Sequence, residues 1–80
     1  MIAPPTHLIP LSSLEKGGRA QIAEIVGSPE QVQRIKELGL RQGLSLEMVR
    51  PGTPCIVRLL GHTLCIRGND LLNVLVHPGD

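Results

Sequence analysis

Eighty residues make one small domain with a single modest core, because a chain of this length buries roughly 60% of its unfolded surface. With no Phe, Tyr or Trp the core has to be aliphatic, and there is no stacking platform for single-stranded nucleic acid. Eight Lys and Arg stand against seven Asp and Glu, interspersed, which argues against the clustered basic face of a nucleic-acid-binding domain; no apolar run approaches the ~20 residues of a membrane helix.

Residues 1–10 carry three prolines and no periodic pattern, and they read as an extended arm ahead of a domain spanning 11–77. The start has neither the basic region nor the long apolar stretch of a secretory signal, so a reduced, cytoplasmic setting is expected. Leu11 and Leu14, three apart, suggest one helical turn before Gly17-Gly18. Arg19 to Val26 alternates in part and predicts the first long strand. Ala20, Ile22 and Glu24 share one face, and the alternation breaks near Glu24-Ile25, where a bulge is expected.

Ser28 to Leu40 reads as a complete short helix, over about residues 29–38. Ser28 is the N-cap and Gln31 closes a capping box, while Pro29 loses no hydrogen bond at the first helical position. Glu30 and Arg34 are spaced to pair. Gly39 supplies the left-handed residue of a Schellman stop, with Leu40 folding back toward Ile35. Val32, Ile35 and Leu38 form a narrow apolar stripe. So short a helix is marginal alone and has to dock on something.

Leu44 to Arg50 alternates as a strand with Leu44, Leu46 and Met48 inward, and Pro51 to Pro54 is a loop. Cys55–Leu60 and Thr63–Arg67 read as a hairpin around Gly61-His62. That register sets Leu59 against Leu64, Val57 against Ile66 and Arg58 against Cys65. Gly68-Asn69-Asp70 is a turn in which Asn69 or Asp70 caps a brief helical turn. Leu72 to Val76 is the last strand, and His77 to Asp80 is a tail. His7 and His77, in the terminal segments, are expected in solvent. The sum is mostly β: a small, strongly bent barrel of about five strands with one inserted α-helix.

Chemistry finds no frame in this pattern. No Cys–His or Ser–His pair sits in a recognisable arrangement, and the acidic residues are scattered singly, so no catalytic residue and no cofactor is assigned. Cys55, His62 and Cys65 lack the paired spacing of a zinc site. In the hairpin, Cys55 and Cys65 fall on opposite faces, so no metal ligand is assigned either. Proline-rich peptide recognition is excluded by the missing aromatics.

Several pieces taken together resemble the FeoA family, small bacterial proteins that accompany the ferrous iron transporter FeoB. They are Leu11-x-x-Leu14-x-x-Gly17, Ala20-x-Ile22-x-x-Ile25-x-Gly27, and Ile35-Lys36-Glu37-Leu38-Gly39-Leu40 followed by Gly43. Pro54-x-x-Val57 and Gly61-x-x-Leu64-Cys65-Ile66-Arg67 complete the set. The resemblance implies an SH3-like β barrel and a non-enzymatic cytoplasmic adaptor that docks on the cytosolic GTP-binding region of FeoB and regulates ferrous iron uptake. The charge balance and the lack of a long apolar run add the expectation of no nucleic-acid partner and no membrane insertion. Two departures stand out: Gln42 where the family often has Pro, and Gly68-Asn69-Asp70 where a more basic segment is usual.

A partner surface then has to be sought outside the core. Arg34, Glu37 and Arg41 lie beside the apolar stripe or just past its end. Leu38, read first as core with Ile35 and Leu40, belongs to the same Gln33–Gln42 patch. Leu60 at the hairpin tip has little to pack on. Arg58 and Arg67 point outward on the hairpin, suited to an acidic surface. The alternatives are a self-associating module pairing its edge strands, or a transition-metal sensor built on Cys55, Cys65 or His62.

Overall fold

The computed structural model describes residues 8–79; His7 and most of the expected arm lie outside the described residues. β1 (Ile9–Pro10) leads into a 3-10 turn at Leu11–Ser13, and β2 (Arg19–Ile25) into α1 (Pro29–Glu37). β3 (Ser45–Arg50), β4 (Cys55–Leu59) and β5 (His62–Ile66) follow, then α2 (Gly68–Leu71) and β6 (Val74–Pro78). The strands form one antiparallel sheet in the order β1-β6-β2-β3-β4-β5.

The count is six strands, not about five, because Ile9 and Pro10 pair with Val76 and Leu75 of β6. Two bulges bend the sheet. The one in β2 falls between Ile22 and Glu24, one residue earlier than the alternation implied. The other, between Met48 and Arg50, was not signalled by the sequence. Each leaves an unpaired residue that sharpens the local twist and lets one sheet wrap a core. β2 serves both halves of the wrap, pairing β3 through Arg19–Gln21 and β6 through Ala20–Ile25.

The helix is built as written in the sequence. The Ser28 hydroxyl accepts from the Gln31 N–H at 3.2 Å, and Gln31 Oε1 accepts from the Ser28 N–H at 2.9 Å. At the other end Gly39, at φ 111°, donates to the Lys36 carbonyl and Leu40 to the Ile35 carbonyl, the two bonds of a Schellman stop. Of the apolar stripe only Ile35 is fully buried. Leu40 just beyond is also fully buried, whereas Leu38 is 39% exposed and is corrected from core to surface. The core itself is aliphatic, centred on Leu11, Ile22, Ile35, Met48, Val57, Ile66 and Val76.

Two other readings move. The hairpin turns on Leu60-Gly61, with Leu59 opposite His62 and Val57 opposite Leu64. Both turn residues have positive φ, 52° and 81°, the conformation that matches the strand twist in a two-residue hairpin. A leucine rarely adopts it, which is why the sequence places the turn one residue later. Arg58 therefore faces Thr63, and Ile56 faces Cys65. The slip moves each pair by two residues, so sidedness survives, and the two cysteines stay on opposite faces.

The last strand begins at Val74 because Leu71 and Leu72 are drawn into the turn of α2. A short apolar run does not by periodicity distinguish a helical turn from a strand. His77 consequently sits half-buried in β6 opposite Gln21, not in a solvent-exposed tail. The N-cap of α2 is Arg67, without a side-chain cap; the carboxylate of Asp70 is engaged elsewhere.

Candidate docking surface

The seven residues assigned to partner contact fall on three separate clefts. Three of them meet in a cavity of about 590 Å³ between the C-terminal half of α1 and the end of β5, lined by Arg34, Leu38, Thr53, Cys65, Arg67 and the start of α2. Arg34 and Leu38, four apart, project from one face of α1. Arg67 enters from the end of β5. Glu37 and Arg41 border a second, shallower groove with Gln33 and Lys36. Arg58 and Leu60 line a third, beside Glu47 and His77.

Asp70 closes the floor of the first cleft. Its carboxylate is nearly buried, and Oδ1 accepts from Arg34 Nη2 at 2.9 Å. This is the ion pair found among the described residues, and it replaces the Glu30–Arg34 pair expected from helix spacing. It is bridged across 36 positions of sequence, from α1 to α2, so no local pattern announces it. Thr53, Gly68 and Asp70 are the lining residues that sequence reasoning missed, because only tertiary folding brings the β3–β4 loop and α2 to the helix.

Gln42, the departure noted after the helix, has a structural task. Its Nε2 donates to the carbonyl of Ala23, the bulged residue of β2, at 2.9 Å. Gln21 Nε2 reaches back to the Gly43 carbonyl at 3.0 Å. These two bonds fasten the turn after α1 to the sheet and fix the helix over the barrel end.

The cysteines are chemically unequal. Cys55 is buried and Cys65 exposed. Burial is the main reason the Cys55 thiol is pushed above its ordinary value, so it holds its proton and is shielded as well. An aromatic disulfide reagent at pH 8 is expected to titrate one thiol rapidly and the second only on unfolding, with Cys65→Ser abolishing the fast phase. Two fast thiols would contradict the hairpin register. Among the described residues no three His, Cys, Asp or Glu side chains converge as metal ligands would, and no helix is long and apolar enough to cross a membrane.

A bent six-stranded sheet around an aliphatic core, topped by one capped helix and marked by solvent-facing clefts, defines a small SH3-like β-barrel module. The chain belongs to the FeoA family: the FeoA domain profile matches residues 9–78, in a family of small accessory domains associated with ferrous iron transport. A solution structure of FeoA from Chlorobium tepidum is 32% identical, covering 90% of this chain and 71% of that one, with a TM-score of 0.78. A crystal structure of an iron uptake regulatory protein (FeoA) superposes with a TM-score of 0.84 at 22% identity, covering 91% of this chain and 99% of that one. The Stenotrophomonas maltophilia FeoA, solved with zinc and described as a procaryotic SH3 domain protein, gives 0.74 at 22% identity over 86% and 89% of the two chains. The same fold occurs within longer chains: in a manganese-dependent transcriptional repressor the match has a TM-score of 0.86 at 15% identity but takes up 39% of that chain. No curated protein matches the chain.

Proposed function

We propose that this protein is a non-enzymatic cytoplasmic adaptor that docks on the cytosolic GTP-binding region of an FeoB-type transporter and regulates ferrous iron uptake. The observation that carries the reading is the cleft between α1 and β5. It sets a half-exposed leucine beside Arg67 and beside Arg34, whose charge Asp70 already answers, so an apolar anchor carries one uncompensated arginine, suited to a protein surface that presents an acidic group. The S. maltophilia relative is described as a possible transport activating factor, which supports a transporter as the partner. Such an adaptor acts by binding one conformational state of its partner more tightly than another.

The contact residues are Arg34, Leu38 and Arg67 in the cleft, with Glu37 and Arg41 extending the patch along the helix. Titration of the purified protein against the cytosolic FeoB region, with and without guanine nucleotide, tests this. Binding that differs between nucleotide states is expected, and Arg67→Glu is expected to weaken it about tenfold, the size of a substantial single-residue contribution. No binding in any nucleotide state would remove the reading.

A further inference from the structure

The groove that takes Arg58 and Leu60 is separate from the helix cleft. It has a volume of about 650 Å³ and crosses the outer side of the sheet from β6 to the β4–β5 turn. It shares no lining residue with the cleft between α1 and β5.

One row of cross-strand neighbours runs along it. Arg19 of β2 stands opposite Glu47 of β3, and Glu47 stands opposite Arg58 of β4. Opposite charges so placed attract one another. Here no such pair closes: among the described residues neither arginine makes an ion pair or a side-chain hydrogen bond. Both arginines are exposed, and Glu47 is half-buried on the strand between them. The groove therefore holds two uncommitted guanidinium groups against one carboxylate. Leu60 stands at the end of this row. It is 71% exposed, and its φ of 52° is a conformation that Gly or Asn adopts more easily. A large apolar side chain kept there gives a basic groove an apolar foothold.

We propose that this groove binds an extended acidic segment of a partner protein, with two carboxylates three residues apart and an apolar residue two further on. The spacing follows from the sheet. Arg19 and Arg58 are two strands apart, roughly 10 Å. In the polyproline II conformation common in unfolded chains, side chains three apart share one face at about 9.3 Å. Leu60 follows Arg58 by two residues, as the apolar residue follows the second carboxylate. A compact anion such as phosphate fits less well, because to reach both arginines it has to lie over Glu47, which repels it. Nucleic acid meets the same carboxylate and finds no aromatic side chain for its bases. A second copy does not supply the segment, since no two acidic residues of this chain stand three apart. Because the two surfaces are disjoint, the domain can hold this segment and a partner on the helix cleft at the same time. The test needs only this chain and a peptide, so its failure leaves the transporter reading standing.

The probe is the capped peptide acetyl-EAAEAL-amide, too short to be helical, titrated into the full chain and followed by amide chemical shifts. Saturable shifts centred on Arg19, Glu47, Arg58 and Leu60 are expected, with a dissociation constant of about 1 mM or tighter. Arg19→Gln and Arg58→Gln are each expected to weaken binding about threefold, and together about tenfold. Leu60→Asn is expected to weaken it about threefold while raising the unfolding midpoint, since Asn accepts the positive φ. Arg67→Glu, in the other cleft, is expected to leave it unchanged. All four positions are exposed, and unchanged spectra of the free variants exclude a folding defect. Absence of saturable shifts, equal binding of acetyl-QAAQAL-amide or acetyl-KAAKAL-amide, or the same shifts from inorganic phosphate alone would overturn the proposal. So would shifts at Leu60 that follow protein concentration without peptide, which would mark a second copy as the occupant.

Discussion

Ile35→Ala is expected to be among the most damaging single substitutions in the chain, lowering stability by about 3 to 4 kcal/mol. Ile35 is the one fully buried side chain on α1, and it plugs the end of the barrel against a core with no aromatic ring to shift into the gap. Small domains carry only about 5 to 15 kcal/mol in total. At this size the loss corresponds to a fall of roughly 15–25 °C in the unfolding midpoint. Thermal and denaturant unfolding read the effect directly. A loss under about 1 kcal/mol would mean that the helix is held by its caps and turn rather than by its buried stripe.

The Arg34–Asp70 pair is expected to respond unequally to removal of its two partners. Arg34→Ala leaves a nearly buried carboxylate without its cation, and a loss of about 2 kcal/mol is expected, below the cost at a fully buried pair because the arginine is itself 59% exposed. Asp70→Asn removes the buried charge and leaves the arginine free to hydrate, so the expected loss is under about 1 kcal/mol. The double variant should cost no more than Arg34→Ala alone, since the damage comes from the stranded charge. Denaturant midpoints of the three variants decide it. Equal losses from the two single substitutions would show that the pair behaves as an exposed bridge.

What was legible in the sequence was local. Ser28, Pro29, Gln31 and Gly39 act on backbone groups within a few residues of themselves, so both ends of α1 could be placed from them. The alternation likewise set Ala20 and Ile22 on one face of β2 and turned Leu46 and Met48 inward on β3, and all four are buried. What failed depended on the fold as a whole. Leu60 adopts a conformation its side chain disfavours because the sheet dictates where the hairpin reverses. Leu72 was read as strand because the run through Val76 is apolar throughout, and only the packing of α2 divides it. Leu38 sits on the apolar stripe by spacing, yet the helix rolls so that Ile35 and Leu40 fill the barrel end and Leu38 opens onto the cleft. The cleft was half visible: Arg34, Leu38 and Arg67 could be named singly, but Asp70, which binds helix to barrel, gave no sign of the connection.

The pairing of β1 with β6 also bears on how this barrel can be handled. Ile9 lies beside Val76, so the first and last described stretches of the chain leave from one corner of the molecule, at the edge farthest in the sheet order from β5. A short polar linker could join them with little entropic cost, and fresh termini could be opened elsewhere, as at the loop of prolines before Cys55. None of the described residues at either end lines the cleft between α1 and β5, so joining them leaves that surface free to be probed.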